Sequence, residues 1–328
     1  MTMKAVLCKS YGPPENLTLE EVDTPSIGAS DVLIDIHSTG LNFPDTIQIQ
    51  GKYQFQPPFP FTPGSEVAGV VADVGSDVTN FKPGDRVLAM VGTGGMAEQV
   101  AAPSEGVLRI PDAMDFDAAS GFMMIYGTSY HALKQRAELQ PGENLLVTGA
   151  GGGVGITAVE LGKLMGARVI AAASTDEKLQ AAKGAGADEL INYSDGELKE
   201  KVKALTGGNG ADVIYDPVGG DIFDQCARCI TWKGRILVIG FASGRIPEYK
   251  TNLVLLKGCQ LVGVFWGSFR GREPEVHEQN TAELFKLYEE GKIKPLVSKV
   301  FPLEDYAAAL NHLGNRKAIG KIVVRARA

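Results

Sequence analysis

The sequence predicts an α/β protein, with a doubly wound parallel sheet in the middle of the chain and a mainly β domain built from its two ends. Three observations carry this. A buried-strand pattern, Leu145-Leu146-Val147-Thr148, runs straight into Gly149-Ala150-Gly151-Gly152-Gly153-Val154-Gly155 and then into a helical pattern. From Asn144 onward strand and helix patterns alternate, as a parallel sheet with crossover helices requires. Before about Tyr126 the chain instead shows short apolar runs broken by glycine, proline and aspartate.

In chain order, residues 5–7, 32–36, 67–74, 86–88 and 98–100 read as strands, with turns at Pro63-Gly64 and Lys82-Pro83-Gly84-Asp85. Residues 115–133 turn helical. After the strand 145–148, the glycine run opens a helix over 156–165, which Gly166 stops. Strands follow at 168–173, 189–192, 211–216, 235–239 and 260–265, and helices at 176–183, 197–206 and 221–230 lie among them. From about Gly267 the pattern changes again. Helices over 273–289 and 304–313 and a closing strand at 321–324 suggest that the tail returns to the first domain. The expected division is 1–125, 126–266 and 267–328.

The glycine run has a specific chemistry. A strand-to-helix junction aims free backbone N–H groups and the positive end of a helix dipole at whatever lies before it, and phosphate suits both. The dinucleotide fingerprint asks for a tight turn, a close approach to the pyrophosphate and close helix packing, here met by Ala150, Gly152 and Gly155. The first place holds alanine rather than glycine.

The chain has 328 residues, 44% of them hydrophobic, which allows two sizeable cores. A formal charge of −7 disfavours nucleic acid and anionic membranes as partners. No leader or membrane-spanning run is recognisable, so a cytoplasmic location is expected. Cys8, Cys226, Cys229 and Cys259 are too scattered for a disulfide framework. Cys226 and Cys229 fall on the helix 221–230 and read as buried thiols, since no second cysteine or histidine pair accompanies them. The four histidines form no cluster with metal spacing, and no metal site is expected.

The motifs in order are Pro63-Gly64-Ser65-Glu66-x-x-Gly69, Pro83-Gly84-Asp85-Arg86-Val87, the glycine turn, Gly186-Ala187-Asp188, Asp216-x-Val218-Gly219-Gly220 and Gly320-Lys321-Ile322-Val323. In that order the chain resembles, over nearly its whole length, the zinc-free quinone oxidoreductase (zeta-crystallin-like) branch of the medium-chain dehydrogenase/reductase superfamily. The resemblance implies a Rossmann domain inserted in a GroES-like catalytic domain, with the active site in the cleft between them. It also implies a homodimer paired through the strand 260–265, for which an ordinary sheet edge is the competing reading. Zinc-dependent relatives carry cysteine and histidine ligands in the first domain. Here the matching places read Gly40-Leu41-Asn42-Phe43-Pro44-Asp45 and Gly64-Ser65-Glu66. Without a Lewis acid, reduction of an already electrophilic acceptor is the expected chemistry.

The cofactor implied is NADPH. The ribose-binding place, about 20 residues past the glycines, carries no acid. Asp176 and Glu177 come later, where Ser174-Thr175-Asp176-Glu177 reads as a capping box. Ser174, Lys178, Tyr193 and Arg316 match the family's 2′-phosphate contacts. Gly153 and Val154 belong to the pyrophosphate turn. Thr128 and Tyr130 match the helix lining the nicotinamide. Gly240, Phe241, Phe265 and Trp266 lie at carboxyl ends of strands, where a ligand crevice is expected; core or dimer packing of the aromatics is the other reading.

A hydride acceptor gains negative charge on its oxygen, so a hydrogen-bond donor there lowers the barrier. Asn42 and Tyr53 are the candidates, with Tyr53 also a proton relay. Asp45 orients Asn42 or simply forms a turn. Ile49 stands where many relatives have an arginine, and Phe55, Phe59 and Phe61 nearby suit a flat apolar guest or the packing of the β domain. The expected activity is hydride transfer from NADPH to a quinone or other α,β-unsaturated carbonyl. The alternatives are an enoyl-thioester reductase, or an NADPH-binding, RNA-binding or structural protein with little turnover.

Overall fold

The computed structural model describes residues 1–327. It divides into two compact units, Met1–Met124 with the chain from Pro295 on, and Ile125–Lys294. In the first unit the strands are β1 (Thr2–Leu7), β2 (Thr18–Asp23), β3 (Asp31–Leu41), β4 (Glu66–Val74), β5 (Arg86–Met90), β6 (Gln99–Pro103) and β7 (Val107–Arg109). The second holds β8 (Asn144–Thr148), β9 (Arg168–Ala173), β10 (Glu189–Asn192), β11 (Ala211–Asp216), β12 (Ile230–Val238) and β13 (Gln260–Gly263). The returning tail adds β14 (Val297–Pro302) and β15 (Lys321–Arg325) to the first unit.

β3 shows why the first unit is a sheet. Along it Val32, Ile34 and Ile36 are buried while their neighbours are half-exposed, the period-2 signature of one covered face. Those side chains pack with Val67, Val71, Phe81 and Val87 in one core. Antiparallel pairing links β3 to β4 and β6, and β15 docks antiparallel on the far end of β3. The tail thus completes the β domain, placing Ile322 opposite Leu41. β14 and β15 pair in parallel.

The second unit is a six-stranded sheet in the order β10-β9-β8-β11-β12-β13, parallel throughout. β8 is fully buried from Leu145 to Thr148 and β9 from Val169 to Ala173, which is why both read as continuous apolar runs rather than alternating ones. The order reverses between β8 and β11, so the crevice at their carboxyl ends is the switch point where such sheets bind ligands.

The structure adds β2, β7 and β14 to the expected strands, and it differs from expectation in other places too. Residues 267–294 belong to the second unit, so the return begins at Pro295 rather than Gly267. The helix Pro274–Glu289 is tied there by Tyr130 Oη donating to Glu283 (2.5 Å) and by the Gln135–Asn280 amide pair (2.9 Å), while Phe269 stacks on His131 with ring centres 3.8 Å apart. The helices Phe43–Gln48 and Thr251–Lys257 carry no clear helical period in their short sequences. β13 ends at Gly263, two residues before its expected end, which leaves Phe265 outside the sheet.

Candidate cofactor and active site

The turn after β8 is built around three different demands on glycine. A Cβ on Gly155 would lie 2.2 Å from Gly149 O and 2.8 Å from Ala150 Cα, both backbone atoms, so the helix Gly153–Leu164 packs on the strand only because that carbon is absent. A Cβ on Gly151 would meet the stem of Lys178 at 2.4 Å. A Cβ on Gly152 would meet only Gly149 O, at 3.5 Å, an ordinary contact distance, and no other atom within 4 Å. That is the cradle a phosphate group needs, and a side chain would fill it.

Gly152 is the N-cap of the helix, with extended backbone and no side-chain cap. Its own N–H donates to Gly149 O (3.0 Å), and its carbonyl accepts from Ile156 N (2.8 Å). The first-turn N–H groups of Gly153, Val154 and Gly155 lie beyond the reach of the helix's own carbonyls. Ala150 is completely buried and its N–H donates to Ala172 O (3.0 Å), so it shapes the turn from within.

Below this turn lies a buried hydroxyl cluster that the sequence did not reveal. Ser129 Oγ is 2.8 Å from Thr157 Oγ1 and 2.9 Å from Tyr215 Oη, and it donates to Val154 O (3.0 Å). It joins the segment carrying Thr128 to the first turn of the helix. The hydroxyls come from three separate segments, so no local pattern could show them. Thr128 itself is half-buried beside this cluster.

The proposed 2′-phosphate contacts in the second unit follow β9 and β10. Thr175 caps the helix Asp176–Gly184, accepting from Lys178 N at 3.4 Å. Ser174 is exposed, Lys178 half-buried against Gly151, and Tyr193 half-buried with its N–H on Ala173 O (3.1 Å). Arg316 lies in the first unit, exposed, at φ +58° after the helix Tyr306–Gly314. Gly240 and Phe241 stand just past β12, half-exposed, with the Phe241 ring and backbone close to Gly219. Phe265 is 62% exposed.

For Trp266 the sequence leaves both the crevice and packing open. It is only 4% exposed, its ring fills the space above Gly127, and its ring centre lies 5.6 Å from that of His277 in a T-shaped arrangement. Those contacts fit the packing reading. The Tyr130 hydroxyl is likewise committed, to Glu283.

In the first unit the candidate catalytic residues enclose a buried charge cluster. Asn42 caps the helix Phe43–Gln48, and its N–H donates to Asp45 Oδ2 (2.7 Å). Its carboxamide is fully used. Nδ2 donates to Gly40 O (3.2 Å) and Glu66 Oε2 (3.1 Å), and Oδ1 accepts from Lys321 Nζ (2.8 Å). Both Asn42 amide protons are thus engaged, to Gly40 O and Glu66 Oε2, within the first unit. The Lys321 ammonium also donates to Leu41 O (2.9 Å) and lies 3.4 Å from Glu66 Oε2, and Glu66 Oε1 accepts from Met124 N (2.9 Å). Burial pushes the Asp45 carboxyl up to about 6, against the pull of the Asn42 N–H, the Lys321 charge and the Ser65 hydroxyl, with Glu66 adding to the rise. Tyr53, half-buried, is raised by burial and then by the Asp45 charge. Glu66 and Lys321 were visible only as letters in motifs; they lie 255 residues apart.

Ile49 is completely buried, while Phe55 and Phe59 are 58% and 43% exposed and Phe61 joins the core. Among the described residues no group of three or more His, Cys, Asp or Glu is placed to hold a metal ion, and no helix is long and apolar enough to cross a membrane.

Comparison with known proteins gives a consistent family. Residues 28–112 match the alcohol dehydrogenase GroES-like domain and residues 153–282 the zinc-binding dehydrogenase domain. The chain is 41% identical over 325 residues to the quinone oxidoreductase-like protein 2 homolog of Nematostella vectensis, covering 98% of this chain and 88% of that one. It is 34% identical over 323 residues to a quinone oxidoreductase of Pseudomonas aeruginosa, covering 98% and 99%. Its fold matches the crystal structure of Escherichia coli quinone oxidoreductase complexed with NADPH, with a TM-score of 0.92, 29% identity, and 98% and 99% of the two chains covered. The chain belongs to the quinone oxidoreductase branch of the medium-chain dehydrogenase/reductase superfamily, a family of oxidoreductases.

Proposed function

We propose that the protein is a cytoplasmic, NADPH-dependent reductase that transfers a hydride to a quinone or other α,β-unsaturated carbonyl without zinc. The observation that carries this is the glycine turn, open at Gly152 and closed at Gly151 and Gly155. The N–H groups of Gly153, Val154 and Gly155 would hold the pyrophosphate, and Ser174, Lys178, Tyr193 and Arg316 the 2′-phosphate. NADPH supplies the hydride when bound; the chain positions the acceptor and keeps water away. Tyr53 is the candidate donor to the acceptor oxygen, because the Asn42 donors are already engaged. The zinc-free reading is supported by Asn42 and Glu66, whose oxygens already accept from the Lys321 ammonium.

The dimer is proposed through β13, at the edge of the sheet, where Leu261 and Phe265 are exposed and Leu255 and Leu256, just before it in sequence, are exposed too. Following NADPH oxidation against a panel of quinones, enones and enoyl thioesters tests the activity. Turnover with quinones or enones is expected, and turnover with simple alcohols alone, at a rate lost to a chelator, would overturn it. Sedimentation of Leu261→Asp as a monomer beside a dimeric native protein would support the pairing.

A further inference from the structure

Residues 123–136 are wound at two widths. Met123–Gly127 and Ala132–Arg136 are π-helical, and between them Thr128–His131 makes a single α turn. In the second wide turn Ala137 N donates to Ala132 O (2.8 Å), five residues back. Such turns account for well under about 1% of residues, and they gather at functional sites. A single α turn has little stability of its own, so contacts from outside must fix Thr128–His131.

Two sets of contacts do so. In one, the Trp266 indole covers Gly127, where a Cβ would lie 2.6 Å from the ring, and Phe269 stacks on His131. In the other, hydroxyls link the turn to the helix Gly153–Leu164 and to β11. Thr157 Oγ1 donates to Ile125 O (3.1 Å), a carbonyl of the first wide turn. Ser129 Oγ lies 2.8 Å from Thr157 Oγ1 and 2.9 Å from Tyr215 Oη, and reaches Val154 O at 3.0 Å. Ser129, Thr157 and Tyr215 are each no more than 1% exposed. Apolar groups of the same shape would be nearly neutral for stability. What they would lack is direction, since a satisfied buried network specifies one arrangement. Within the turn Ser129, Tyr130 and His131 are buried and Thr128 is not. The residue whose place the network sets for a ligand is therefore Thr128.

We propose that Ser129 is a positioning residue for the cofactor: with Thr157 and Tyr215 it holds the Thr128 turn in register with the phosphate-binding turn, and so sets where the nicotinamide half lies. This rests on the proposed NADPH site, with Thr128 beside the nicotinamide. The phosphate turn does not itself depend on the network, because Gly155 seats its helix directly on Gly149 and Ala150. Loss of the network should therefore loosen one half of the cofactor and leave the other half in place.

The test compares NADPH with adenosine 2′,5′-bisphosphate, a fragment that carries the adenosine-side phosphates and no nicotinamide. Ser129→Ala alone would strand the buried Tyr215 hydroxyl, so the variant is Ser129→Ala with Tyr215→Phe. By calorimetry it should bind the fragment within about twofold of the native protein and NADPH about fivefold or more weakly, the scale of one lost hydrogen bond. With a quinone kcat should fall about tenfold, short of the hundredfold that a displacement of about 1 Å can cost. A merely structural loss would weaken both ligands alike. Should the double variant fail to fold, Thr157→Val carries the same test, because it keeps the side-chain shape and removes the hydroxyl; it should show the same split, and Thr157→Ser should reverse it. Where the native protein binds NADPH, a loss of fragment affinity as large as that of NADPH, or no change in either, overturns this proposal alone. A native protein that binds no NADPH removes the cofactor site and this proposal together.

Discussion

Two neighbouring glycines should separate binding from folding. In Gly152→Ala the new methyl group meets nothing closer than Gly149 O at 3.5 Å, an ordinary van der Waals distance, and the residue has the extended φ of −83° that alanine adopts freely. The folded state should lose less than about 1 kcal/mol, the scale of an N-cap change without a side-chain bond. The methyl group would, however, fill the space where a phosphate must approach the N–H groups. Loss of one or two charge-assisted hydrogen bonds, at about 1.5–3 kcal/mol each, weakens NADPH by roughly tenfold to ten-thousandfold. In Gly155→Ala the methyl group collides with backbone at 2.2 and 2.8 Å, which neither neighbour can relieve by rotating a side chain. Overpacking of this kind costs about 1–3 kcal/mol or more, so its thermal midpoint should drop while binding also suffers. Fluorescence titration with NADPH beside thermal melts of the free proteins reads both quantities. If Gly152→Ala binds as the native protein does, or if Gly155→Ala melts and binds unchanged, the glycine turn is no phosphate cradle.

Further predictions follow from the same geometry. Lys178→Ala should weaken NADPH about tenfold or more, as expected for a lost charged contact, and NADH much less; equal losses in parallel titrations would remove Lys178 from the 2′-phosphate site. Asp45 has a folded value of about 6 against an ordinary 3.8. A raised acid costs stability that is absent below its unfolded value and fully felt above its folded value, here by about 3 kcal/mol at pH 7. Asp45→Asn should therefore be more stable than the native protein above pH 6, with the advantage gone near pH 4 in urea titrations at the two pH values, and it should lower kcat. Tyr215→Phe removes a hydroxyl from the Ser129 cluster and should cost about 1 kcal/mol; an unchanged urea midpoint would show that the cluster does not brace the turn.

How much was legible in advance depends on how far apart the cooperating atoms lie in the chain. The run from Leu145 to Gly155 specifies strand, turn, helix and phosphate chemistry by itself, because every partner lies within a dozen residues and the backbone does the work. Thr175 could be read as a cap for the same reason. The alternation of buried β8 and β9 with helices likewise announced a parallel sheet. What only the tertiary structure decided is where separate segments meet. It moved 267–294 into the second unit through contacts such as Tyr130 with Glu283, and it buried Trp266 against Gly127. It also brought Lys321 from the end of the chain under Asn42 and Glu66, and it engaged both Asn42 amide protons, with Gly40 O and Glu66 Oε2. Periodicity and turn chemistry encode local backbone shape, whereas a buried hydrogen bond between distant segments exists only once packing has excluded water around both partners.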